Sequence, residues 1–230
     1  MAPRGVERRL AAILAADMVG YSRLMETDET GTLARLKTHR LEMIDPAIAK
    51  WKGRIIKTTG DGMLVDFGAV ADAVQCAAEI QRRMARRNTD VSPARWIQFR
   101  IGINLGDVIV EDDDIFGDGV NVAARLQELA PPGGICVSAA VRDQVGDRLD
   151  VTFEDLGERI VKNIARPIRI FRIVLDEEPQ PEGRGAARQA AAERLRRRRF
   201  RQSDEDVPPC AGHDDDPSGA GRSAGLARRA

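Results

Sequence analysis

Six side chains in this sequence have types and spacings that can do chemistry together: Asp17, Lys57, Asp61, Asp114, Asn121 and Arg125. Asp17 ends the apolar run LAAILAAD, and Asp61 sits in Gly60-Asp61-Gly62 between two strand-like runs. Two carboxylates on strand ends, brought together by a sheet, can hold a divalent cation such as Mg²⁺ through oxygen ligands. Such ions neutralise a triphosphate and help to deprotonate an attacking hydroxyl. Lys57 donates hydrogen bonds and Asp114 accepts them, so the two complement a purine edge with an acceptor ring nitrogen and a donor amino group, as adenine has. Asn121 and Arg125 lie one helical turn apart on one face, behind a glycine-containing loop. There they can face a phosphate, Asn121 positioning a ribose and Arg125 stabilising charge on a transferring phosphoryl group. Each residue alone also has a plain reading: Asp61 as an ordinary turn aspartate, Arg125 as a surface helix arginine.

The elements that must position these residues follow from apolar periodicity and turn chemistry. Residues 8–17 read as a buried strand, although an alanine-rich run is also compatible with helix. Leu33, Leu36, Leu41, Ile44 and Ile48 approximate helical spacing, with Asp28 or Thr30 as the cap and Pro46 kinking or dividing the helix. Arg54–Phe67 reads as a hairpin whose Asp-Gly turn holds Asp61 at an exposed tip. Residues 69–87 form an amphipathic helix, with Val70, Ala73, Val74, Ala77, Ile80 and Met84 on one side. Residues 97–110 contain two apolar runs split at Gly102 and Leu105-Gly106-Asp107, as a strand pair or one strand leading into another. An acidic loop then leads through Gly117-Asp118-Gly119 into the helix of Asn121 and Arg125. Short strands at 134–138, 151–156 and 168–175 and a short helix at 139–145 complete an α+β order with helices on a sheet.

Composition narrows the function classes. The 230 residues carry 36 basic and 36 acidic side chains, so overall charge points to neither nucleic acid nor a membrane surface. Apolar content of 43% is enough for a core in the first part of the chain. Cys76, Cys136 and Cys210 lack metal or CxxC spacing, and an odd, scattered count suits a reducing cytosol. No run of eighteen apolar residues exists, so no transmembrane segment is expected and the location is read as cytoplasmic. His39 falls in a helix and His213 in the tail, leaving neither as a candidate base.

From residue 176 the composition shifts to Arg, Asp, Glu, Pro, Gly and Ala with almost no large apolar side chains. Such a segment cannot offset its ordering entropy by burial, so 176–230 is expected to be a disordered tail. A truncated or frame-shifted end is a second explanation for the abrupt change. Its basic patch, Arg194–Gln202, is a solvated charge run or a site for nucleic acid or an acidic partner.

The whole pattern resembles the class III adenylate/guanylate cyclase catalytic domain. The matching stretches are AADMVGYSRL, RIIKTTGDGMLVDF, RIGINLGDVIV, DIFGDGVNVAARLQ and LGERIVKNIARPIRIFRI, spanning about residues 8–175. The resemblance implies a ferredoxin-like βαββαβ core. It implies cyclisation of a nucleoside triphosphate to the 3′,5′-cyclic monophosphate with release of pyrophosphate. Asp17 and Asp61 match the family's metal ligands, with two Mg²⁺ or Mn²⁺ ions per site. Lys57 and Asp114 match the pair that selects adenine, and hence ATP; guanylate cyclases typically carry Glu and a small residue there. Asn121 and Arg125 match the transition-state pair, and Lys162 falls near a triphosphate-contacting lysine of some relatives or is a surface lysine. The family implies a head-to-tail homodimer with composite sites, the aspartates from one copy and the other four residues from its partner. Alternatives are a guanylate cyclase, a silent nucleotide-binding or dimerisation module, and an interaction protein working through the tail. A diguanylate cyclase lacks support, because no GGDEF-type sequence is present.

Overall fold

Strand β1 (Glu7–Met18) is the centre of the molecule because it is apolar on both sides. Residues 11–16 are all buried, as a strand covered on both faces of its sheet requires. Its even-numbered residues Ala12, Leu14, Ala16 and Met18 join the larger core; Ala11, Ile13 and Ala15 join a smaller one on the opposite face. The computed structural model describes residues 7–175, except 112, 113, 147, 163 and 165. The expected tail and Cys210 lie outside the described residues.

Helices α1 (Tyr21–Thr27), α2 (Glu29–His39) and α3 (Asp45–Lys50) follow. Asp28 is the cap, its carboxylate accepting from the Gly31 N–H at 2.9 Å. The division between α2 and α3 is a π-helical turn at Arg40–Ile44, not a break at Pro46. Pro46 follows directly on this turn, in the first turn of α3.

The hairpin is β2 (Gly53–Thr59) and β3 (Gly62–Phe67). Helix α4 (Val70–Asn88) buries all six predicted apolar positions, together with Cys76, Ala78 and Gln81. Each fully buried Val, Ile or Met side chain contributes on the order of 1.5–3 kcal/mol. Strand β4 (Phe99–Glu111) is one continuous 13-residue strand, not a pair. It pairs with β1 over twelve consecutive positions, from Glu7 opposite Val110 to Met18 opposite Phe99.

The order β2-β3-β1-β4, antiparallel throughout, with helices between β1 and β2 and between β3 and β4, is the ferredoxin-like βαββαβ core. The chain adds β5 (Asp114–Phe116) on β4, α5 (Asp118–Leu129), β6 (Ile135–Ser138), α6 (Ala139–Val145), β7 (Thr152–Arg159) and β8 (Ile168–Val174). The extended sheet runs β2-β3-β1-β4-β6-β8-β7, with β6 parallel to β4. Helices α4 and α6 feed the larger core and α5 covers the opposite face. Among the described residues, no helix is long and apolar enough to cross a membrane.

Candidate functional site

Asp17 is the penultimate residue of β1 and lies on the α5 face by strand alternation from Ala15. Asp61 reaches it from the β2–β3 turn, which is Gly60-Asp61 between paired Thr59 and Gly62 and not the expected Asp-Gly pair; Gly60 takes φ 62°, a left-handed conformation that glycine adopts without strain. The turn tip is less open than expected: Asp61 is half-buried and its carboxyl meets that of Asp17. Gly62 lies beside the pair: a Cβ there would stand 3.3 Å from Asp17 Oδ1, a tight contact. Burial, then the neighbouring Asp61, raises the Asp17 carboxyl above its ordinary value, while Arg100, opposite it on β4, pulls the other way. Two adjoining carboxylates in partial burial repel unless a proton or a cation sits between them. The donor set therefore fits a divalent ion. Among the described residues no cluster of three or more His, Cys, Asp or Glu could hold a metal. Two carboxylates with the balance of ligands from water and phosphate is the usual Mg²⁺ arrangement in phosphoryl-transfer sites.

The second cluster is formed by β2 and β5. Lys57 Nζ donates to both Asp114 oxygens, at 3.0 and 2.9 Å. The Ile115 N–H adds a bond of 2.8 Å to Asp114 Oδ1. Lys57 first, and this backbone donor after it, hold the Asp114 carboxyl below its usual range. The lysine retains a third N–H and the carboxylate further lone pairs, so the pair can still present one donor and one acceptor to a planar edge. Strand β5 was not anticipated, since its three residues follow an acidic run with no alternating pattern to mark them.

Helix α5 carries Asn121 and Arg125, and close backbone contacts fix its place. A Cβ on Gly102 would fall 2.2 Å from the Gln127 nitrogen and 2.3 Å from the Ala123 oxygen. A Cβ on Gly119 would come within 2.9 Å of the Asp107 oxygen. The glycines that looked like strand breaks are thus the places where α5 lies directly on β4. Buried Asn104 adds a 3.0 Å bond from Nδ2 to the Gly119 carbonyl. Sequence reasoning passed over Asn104, although a polar residue within an apolar strand calls for a buried partner. Asn121 is exposed, and Arg125 pairs with Glu128 one turn on. Lys162 is exposed.

The register relates these parts. The start of α5 packs at Gly106, opposite Ala11 of β1, whereas Asp17 faces Arg100 six residues further along. Six extended residues span roughly 20 Å. Further along α5, Ala123 and Gln127 lie against Gly102, opposite Ala15, so the helix runs from the Ala11 level of β1 towards Asp17. The structure brings together Asp17 with Asp61, and Lys57 with Asp114. Of the cysteines, burial pushes the Cys76 thiol up to about 12 and Cys136 up to about 11, so both are inert core residues.

Comparison with known proteins bears on this arrangement. Residues 7–174 match the family described as adenylate and guanylate cyclase catalytic domain. A Rhizobium meliloti (strain 1021) protein named "Putative adenylate cyclase 3" is 52% identical over 171 residues, covering 74% of this chain and 29% of that protein. A Streptomyces coelicolor protein named adenylate cyclase is 33% identical over 144 residues, 61% of this chain and 35% of that one. The chain thus spans about a third of the length of these curated relatives. The crystal structure of an adenylate/guanylate cyclase/hydrolase from Silicibacter pomeroyi is 56% identical and superposes with a TM-score of 0.71, over 75% of this chain and 100% of that one. With its ferredoxin-like core, its paired carboxylates and a family match over most of its length, this chain belongs to the adenylate and guanylate cyclase catalytic domain family.

Proposed function

We propose that this chain is an adenylate cyclase, converting ATP to 3′,5′-cyclic AMP and pyrophosphate at two composite sites of a homodimer, with residues 8–175 as the catalytic domain. The reading is carried by the Asp17–Asp61 pair, two carboxylates held in mutual contact by a strand end and a glycine-bounded turn. Asp17 and Asp61 would hold two Mg²⁺ or Mn²⁺ ions. When bound, such ions lower the pKa of the ribose 3′-hydroxyl and screen the charge of the triphosphate.

The remaining roles belong to the protein's own groups. The Lys57 ammonium donates to the purine ring nitrogen and Asp114 accepts from the exocyclic amine, which disfavours guanine, whose corresponding edge has the reverse polarity. Asn121 orients the ribose so that its 3′-oxygen stands in line with the α-phosphorus and the leaving pyrophosphate. A bond forms between that oxygen and the α-phosphorus as the bond to the β-bridging oxygen breaks, and Arg125 stabilises charge on the phosphoryl group in passage.

The test is cyclic nucleotide formation by the full chain with Mg²⁺ or Mn²⁺ and either ATP or GTP, over a range of protein concentrations. The expected result is metal-dependent cyclic AMP, with specific activity rising with concentration. Dominant cyclic GMP would overturn the roles of Lys57 and Asp114. Nucleotide binding by a dimer without product would point to a regulatory module. Removal of residues after Asp176 is expected to leave turnover intact, in contrast to a tail-based interaction protein.

A further inference from the structure

Phe116 is not a core residue. It is a large apolar side chain with 44% of its surface exposed, on a strand of three residues. The anchoring of that strand falls to its neighbour Ile115, which is 1% exposed and sits in the smaller core. Because successive strand residues point to opposite faces, Asp114 and Phe116 share the side away from Ile115. Lys57 meets both: its ammonium bonds the two Asp114 oxygens and stands 5.5 Å from the centroid of the Phe116 ring. It comes from β2 just past a register shift between Ile55 and Lys57, an irregularity of the kind that re-aims a side chain.

We propose that Phe116 is a positioning residue for base recognition: its ring holds the Lys57 ammonium by a cation–π contact and so sets the direction of the lysine's free N–H. This rests on Lys57 and Asp114 reading the purine, as proposed above. A lysine is a flexible point charge with many rotamers, and a carboxylate alone lets it slide between oxygens or fold down onto them. The ring blocks one flank of that motion, attracts the ammonium face-on and keeps water from that side. The free N–H is left directed to where a ring nitrogen accepts. The effect belongs to nucleotide binding and purine choice, not to the chemical step.

The experiment is a double-mutant cycle on the full chain, with KM and kcat for ATP and GTP, using Phe116→Leu, Phe116→Trp, Lys57→Met and the double variant Phe116→Leu/Lys57→Met. Exposed cation–π contacts correspond to about two- to fivefold in an equilibrium constant. Phe116→Leu is expected to raise KM for ATP by about that factor and to lower the ATP-over-GTP preference similarly, with kcat little changed. Phe116→Trp is expected to restore both, and Phe116→Leu is expected to add nothing once Lys57 is Met. If Lys57→Met leaves purine preference unchanged, the base-reading assignment falls and this proposal with it. If Lys57→Met changes it while Phe116→Leu does not, or while the two changes are additive, only the proposal for Phe116 is overturned. A loss in Phe116→Leu that disappears on raising protein concentration would make the ring a subunit contact and overturn it equally.

Discussion

The two polar clusters of this molecule are electrostatic opposites. At the end of β1, Asp17 and Asp61 are like charges in partial burial, and Asp17 is driven towards its protonated form. Between β2 and β5, Lys57 and Asp114 are opposite charges that satisfy one another, and Asp114 is held ionised. The first cluster is relieved by a proton or a cation between its carboxylates. The second is complete and must be shared with whatever binds it. A protein that only needed to fold would keep the second kind of pair and discard the first.

That contrast can be broken most severely at the first cluster. Asp61→Ala is expected to reduce cyclic AMP formation on the order of a thousandfold, measured as product per mole of folded protein, since it removes half of the carboxylate pair. Arg125→Ala should cost about a hundredfold in kcat with KM nearly unchanged, because charge on the phosphoryl group develops only on the way to the transition state. At the second cluster the change should be one of preference. Lys57→Glu combined with Asp114→Gly is expected to shift the ratio of kcat/KM for ATP and GTP by about tenfold or more towards GTP, because the reversed polarity leaves a buried adenine edge unpaired.

The smallest effect is on stability, and its sign separates the clusters. The Asp17 carboxyl is raised in the folded protein, so the native state binds the proton more tightly than the unfolded chain does. Metal-free stability should therefore fall as pH rises from the ordinary carboxylate value of 3.8 through the raised folded value, and stay reduced at neutral pH. Asp17→Asn removes the repulsion, about 1 kcal/mol at water-like dielectric, and should raise the metal-free Tm at pH 7 by about 2–4 °C. It should at the same time abolish turnover and remove the increase in Tm that Mn²⁺ gives the unsubstituted protein. A lower Tm for this variant would mean that the pair is not repulsive as described.

How much of this was legible beforehand depended on whether the signal was local. The apolar run of β1, the hairpin of 54–67 and the face of α4 are decided within a few residues and stand as expected, although the hairpin turns on Gly60-Asp61 and its tip is half-buried. What escaped was tertiary. Gly102 and Gly106 look like strand breaks by propensity, yet β4 runs through both because α5 lies against the bare backbone there. Asp66, buried on β3, pairs with Arg9 and lies 3.7 Å from Arg54, a link between three strands that no spacing announces. The Lys57–Asp114 pair closes across 57 positions of sequence, through a strand too short to show a period.

The central claim is that the Asp17–Asp61 pair and Arg125 of α5 serve one reaction from different copies of the chain. The most direct measurement mixes two variants, Asp61→Ala and Arg125→Ala, each expected to be nearly inactive alone. In a mixed dimer one site carries both substitutions and the other carries neither. With random pairing, about a quarter of the wild-type sites should reappear, and with them about a quarter of the activity. Cyclic AMP formation rising to that level on mixing, and following the fraction of mixed dimers, is the predicted result. Two stable variants that exchange subunits and yet remain as inactive together as apart would contradict it, because each site would then be built within a single chain.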